Sequence, residues 1–90
     1  MLVLPAELTQ HEATASLRML LQGLRSRPES TILADSTALS HFDSSALAVL
    51  LECRREALAS GKSFAVKGLP ARLRDLAVLY GVAELLPAAP

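Results

Sequence analysis

Apolar positions recur along this chain with two different periods, and the switches between them mark out its elements. "LVL" (residues 2–4) is a short apolar run closed by Pro5 and predicts a strand that stops early. "TQHE" (residues 9–12) fits the S/T-x-x-E capping box, with Thr9 accepting from the amide near Glu12 and Glu12 reaching back. A helix is expected to begin there. Ala13, Leu17, Leu20, Leu21 and Leu24 then follow at helical spacing, while Arg18, Gln22 and Arg25 fall elsewhere on the wheel, until Pro28 ends the segment.

"TILA" (residues 31–34) is a compact apolar run with two β-branched residues and predicts a buried central strand. The next segment, "DSTALSHFD" (residues 35–43), is rich in turn formers, with Leu39 and Phe42 expected to tuck beneath it. A second helix is expected from about Ser44 to Ser60, closed by Gly61. "SFAVK" (residues 63–67) alternates polar and apolar, as a strand with one buried face does. Pro70 suits the first turn of a third helix, in which Leu73, Leu76, Ala77 and Tyr80 keep the spacing until Gly81. Leu85 and Leu86 would dock one more helical turn in the tail.

The order is strand, helix, strand, helix, strand, helix, and right-handed crossovers make such strands parallel. The expected fold class is α/β: a small, mostly parallel β-sheet covered by about three to four helices. With 90 residues the chain has room for one core, so residues 1–90 are expected to form a single domain. Hydrophobic residues are 51% of the chain and aromatics only 3%, so that core must be aliphatic.

Charge narrows the partners. Nine basic and nine acidic residues cancel, and no run of like charge appears, which argues against a nucleic acid or an anionic membrane as ligand. The single cysteine, Cys53, has no internal disulfide partner and fits a reducing, cytoplasmic setting. "MLVLPAELTQ" lacks the pattern of an export signal, and no apolar run approaches the roughly 20 residues of a membrane helix.

The chemistry concentrates at "SHFDSSALAVLL" (residues 40–51), where His41, Asp43, Ser44 and Ser45 precede an apolar helix. Asp and Ser are preferred N-cap residues, and one of them satisfies an orphan amide there at about 1 kcal/mol. Two hydroxyls and one acid exceed what one cap needs. Asp43 and Ser45 are the better capping candidates, leaving the Ser44 hydroxyl to face a partner protein or to accept a phosphate near the helix dipole. Ser44→Ala is expected to leave the fold near intact, at roughly 1 kcal/mol for a lost cap.

Catalysis is the weaker reading. A nucleophilic Ser44 needs a base within reach, for which His41 is the local candidate, yet there is no G-x-S-x-G elbow. Asp35 and Asp43 offer only a weak imitation of a divalent-metal site, and no cofactor motif is present, because the four glycines are scattered. His11 reads as a surface residue and Cys53 as a small core hydrophobe. Arg54, Arg55, Arg72 and Arg74 belong to helix surfaces, whether solvated or at a protein interface.

With these residues laid out, the chain resembles the STAS domain family, known from anti-sigma factor antagonists and sulfate transporters. The resemblance rests on a strand ending in Asp35, eight residues, then Asp43-Ser44-Ser45 opening a helix. The family pattern is Asp, Ser or Thr, a small residue, Gly, then Leu; here Ala46 stands at the glycine. "LRDLAVLYGVAELLP" (residues 73–87) is similar to the end of the MlaB-like branch, the STAS subunits of bacterial phospholipid-transport ABC systems, and "LVLPAELTQ" to its early strand and turn.

STAS domains commonly carry an extra N-terminal strand, and here only Met1 precedes "LVL", so one sheet edge is expected to be bare or shared with another chain, such as a second copy in a homodimer. The resemblance implies a non-enzymatic subunit that binds the cytoplasmic ATPase of an ABC transporter, with a permease in the full complex and no direct membrane insertion. It would work at the inner face of the inner membrane and help maintain outer-membrane lipid asymmetry. In the antagonist branch, the position of Ser44 is the phosphorylated one.

Overall fold

The structure, a computed structural model, describes residues 1–89. Three strands form the central sheet: β1 (Leu2–Val3), β3 (Thr31–Asp35) and β5 (Ser63–Lys67), all parallel, in the order β1-β3-β5. Beyond β5, Val66 bridges Ala88 of the tail, again in parallel. Three helices alternate with the strands: α1 (Ala13–Arg25), α2 (Ser45–Ala59) and α3 (Ala71–Leu79), followed by a short 3-10 turn at Ala83–Leu85. The α/β class and the parallel sheet are as expected.

The strand order explains where the core lies. Each crossover steps the same way across the sheet, and right-handed connections then bring every helix to one face. Leu2, Leu4, Ile32, Ala34, Phe64 and Val66 line that face, and they join Leu20, Leu24, Leu47, Leu50, Leu73 and Ala77 of the helices in one cluster. The opposite face is open. Val3 is 62% exposed, and Leu33 and Ala65 are half-buried.

Several expectations need correcting. "TILA" is central, but it is buried on one face only: Thr31 is exposed and Leu33 half-buried, because no crossover reverses direction to cover the other side. Tyr80 is 57% exposed, since α3 ends at Leu79 and Tyr80 is already its C-cap. Of the tail pair, Leu86 docks in the core at 1% exposure while Leu85 stays outside at 37%.

The capping box is half made. Glu12 does reach back, accepting from the Thr9 amide and hydroxyl, both at 2.8 Å. The Glu12 amide donates to the Thr9 carbonyl and not to its hydroxyl, so residues 9–12 close a turn ahead of α1. The "DSTALSHFD" segment buries Leu39, half-buries Phe42 and contains a strand that no periodicity marks. This is β4 (His41–Phe42), paired in parallel with β2 (Glu7–Leu8) in a separate two-stranded sheet. Its place is fixed by tertiary contact, with Ser40 and His41 both donating N–H to the Ala6 carbonyl at 2.9 and 3.0 Å.

At the carboxyl end of the central sheet, the turn after β5 lies tight against the loop after β3. Gly68 has φ +67°, and a Cβ there would run into the Thr37 side chain, foremost its methyl group. Gly68→Ala is therefore expected to destabilise the fold by about 1–3 kcal/mol through left-handed strain plus the clash. Thr37→Ser removes the methyl and keeps the hydroxyl, so urea unfolding should show Gly68→Ala costing measurably less in that background.

Candidate functional site

The pairing of β2 with β4 brings the turn before α1 to the start of α2, and Asp43 joins the two. Its Oδ1 accepts from the Ser45 amide at 2.8 Å, two residues on, in the manner of an Asx turn. Its Oδ2 accepts from the Gln10 amide at 3.0 Å, across 33 residues of sequence. One carboxylate thus caps α2 and ties down the turn ahead of α1. The Ser45 amide first, and the Gln10 amide next, hold the Asp43 carboxyl below its ordinary range, because both bonds favour the charged form.

With Asp43 as the cap, the two serines take other roles. Ser45 is the first residue of α2, half-buried, and receives the cap through its N–H. That corrects the expectation that Ser45 shares the capping. Ser44 has near-helical backbone angles (φ −63°, ψ −16°), and its side chain makes no capping bond. It is exposed, and its carbonyl accepts from the Leu47 amide at 3.0 Å, so the peptide carrying the hydroxyl is fixed. The hydroxyl itself is free to meet another molecule.

His41 lies in β4, exposed, its backbone N–H held by the Ala6 carbonyl. No hydrogen bond links its ring to Ser44 among the described residues, whereas an activated serine needs its base at roughly 2.6–3.2 Å. Asp35 is engaged separately: Thr37 donates both its hydroxyl and its amide to Oδ1, the latter at 3.1 Å. Those two bonds, the hydroxyl's the larger, lower the Asp35 carboxyl below its usual range. The described residues contain no group of three His, Cys, Asp or Glu poised to hold a metal ion.

Ala46 is fully buried in the core cluster, so the methyl that replaces the family's glycine points inward. It strengthens the helix, by up to about 1 kcal/mol relative to glycine, and leaves the surface around Ser44 unobstructed. Cys53 is 1% exposed, and burial pushes its thiol up to about 12, as befits a core hydrophobe. His11 is exposed, as expected.

Sequence reasoning put Arg72 on a helix surface but did not place it beside this site. Arg72, in the first turn of α3, lies with its Cζ 4.8 Å from the centroid of the Phe42 ring, directly beside Asp43 in the chain. Nothing local in the sequence marks this pair, because 29 intervening residues (43 to 71) hold α2 and β5 and the contact forms only when α3 lands. A shallow hollow of about 330 Å³ lies along α1, lined by Thr14, Leu17, Arg18, Leu21, Gln22 and Arg25. None of His41, Asp43, Ser44 or Ser45 lines it.

Two predictions follow from the bonding at Asp43. Its folded pKa is depressed, so its contribution to stability is present above the unfolded value near 4 and is lost as pH falls through the folded one. Asp43→Asn should therefore lower the urea midpoint at pH 7, and the gap from the native chain should close as the pH drops below about 4. Ser44→Ala, by contrast, removes no capping bond. Its effect on the melting curve should stay within about 0.5 kcal/mol, less than a lost cap would cost.

The family model described as "Mlab, STAS domain" matches residues 1–87, nearly the whole chain. No curated protein matches it. The fold and the extent of that match place the chain in the STAS domain family, in its MlaB-like branch.

Proposed function

We propose that this chain is a non-enzymatic binding subunit that docks on the ATPase of an ABC phospholipid transporter and supports its assembly and activity. The observation that carries the reading is the Ser44 hydroxyl: exposed, unbonded, and set on a peptide whose position Asp43 and the first turn of α2 fix. A hydroxyl held this way suits recognition by a surface. Among the described residues, no hydrogen bond ties it to a base such as acyl transfer requires. Membership of the MlaB-like family supports this choice of partner.

No helix among the described residues is long and apolar enough to cross a membrane. In this reading the ATPase holds the domain at the cytoplasmic face of the inner membrane, and the permease is reached only through it. The transporter would serve outer-membrane lipid asymmetry.

A second reading draws on the same hydroxyl. Ser44 opens a 15-residue helix whose positive dipole end would stabilise a phosphate, as an anti-sigma factor antagonist regulated at this position requires. The two readings separate in one pair of experiments. Co-purification of the tagged chain from its host should bring down the ATPase, and Ser44→Arg should reduce that binding at least about tenfold with melting unchanged. Incubation with the host's anti-sigma kinases should leave the intact mass unaltered. A stoichiometric phosphate that disappears in Ser44→Ala, with no ATPase recovered, would favour the antagonist instead.

A further inference from the structure

We infer that Arg72 reads an acidic side chain of the partner protein, receiving its carboxylate on the face that presents Ser44. This inference rests on the ATPase-docking reading above and names the chemistry of the contact. Phe42 is the last residue of β4, and Arg72 lies over its ring at 4.8 Å. The cation is therefore anchored to the very loop that carries Asp43 and Ser44. Stacking covers one face of the guanidinium plane, while its N–H donors lie along the edges, where a carboxylate can meet two of them at once.

Among the described residues, no acid pairs with Arg72. The ion pairs among the described residues are Arg25 with Glu56 and Arg55 with Glu52, both elsewhere. Asp43 spends its oxygens on the Ser45 and Gln10 amides, and Asp35 accepts both Thr37 donors. Asp75, one turn along α3, forms no ion pair with Arg72. An exposed arginine ordinarily loses much rotamer freedom when a partner immobilises it; here the ring has already restricted it, which lowers the cost of binding.

The charge pattern selects a single carboxylate over a polyanion. The chain is neutral overall, and the segment 35–43 that carries Phe42 also holds Asp35 and Asp43, whose hydrogen bonds keep both carboxyls below their ordinary range and so charged. A phosphate backbone or an anionic bilayer would meet those acids along with the one cation, whereas an isolated Asp or Glu meets Arg72 alone.

The test is titration calorimetry of the purified chain with the host's phospholipid-transport ATPase at low and high salt. Arg72→Glu should weaken binding about tenfold or more, and Arg72→Gln should weaken it less while flattening the salt dependence. Arg72→Lys, which keeps the charge but loses the planar fork, should fall between Arg72→Gln and the native chain. Circular dichroism checks that each variant stays folded, as exposure of Arg72 leads one to expect. If the native chain binds and both Arg72→Glu and Arg72→Gln bind equally well, the acid-reading role is overturned and the docking reading survives. If the native chain does not bind the ATPase, both fall together.

Discussion

Everything in this domain follows from the direction in which its strands are laid down. With order β1-β3-β5 and the tail beyond, every right-handed crossover steps the same way, so α1, α2 and α3 all cover one face. A chain of 90 residues cannot easily build two cores, and this topology asks it for only one. The aliphatic composition suits the arrangement, since close helix-on-sheet packing uses Leu, Val and Ala in preference to large rings. The same topology places the loops after β3 and β5 side by side at the carboxyl end of the sheet, where Gly68 fits against Thr37.

At that end, one acid settles what its neighbours can do. Had Ser44 or Ser45 capped α2, its hydroxyl would have been consumed by a backbone amide. Asp43 takes the Ser45 amide with one oxygen and the Gln10 amide with the other. The first bond fixes where α2 starts, and the second fixes that start relative to the turn before α1. Ser44 is thereby rigidly placed yet chemically uncommitted.

The sequence disclosed long elements better than short ones. Leu17, Leu20, Leu21 and Leu24 declared α1, and the alternation in "SFAVK" declared β5 with its single buried face, because five or more residues suffice to show a period. Two-residue strands show none, so β2 and β4 were invisible, although β4 carries His41 and Phe42 into the site. "TILA" looked buried on both faces because composition cannot say which way the crossovers step. The place of the site at the mouth of α2 was legible from Asp43, Ser44 and Ser45. How they share the work was not, since all three are good caps and only the Gln10 amide, brought in by tertiary pairing, singles out Asp43.

The comparison between catalysis and presentation is finally a matter of what each needs from its surroundings. A nucleophilic hydroxyl needs a base, an orienting acid and a cavity that excludes water, each adding a buried polar group that must be satisfied. This domain has one thin core, whose few buried polar side chains include Ser16 and Ser36, and the acid next to Ser44, Asp43, is already committed to amides. A docking surface asks for less: fixed geometry, a free donor, and anchors such as a ring with an arginine stacked on it. In the proposed reading, Ser44, Phe42 and Arg72 would supply these, while the apolar run behind Ser44 holds α2 against the sheet. The greasy stretch and the polar mouth are thus parts of one device, in which burial of Ala46, Leu47, Val49 and Leu50 fixes the helix whose first hydroxyl is offered outward.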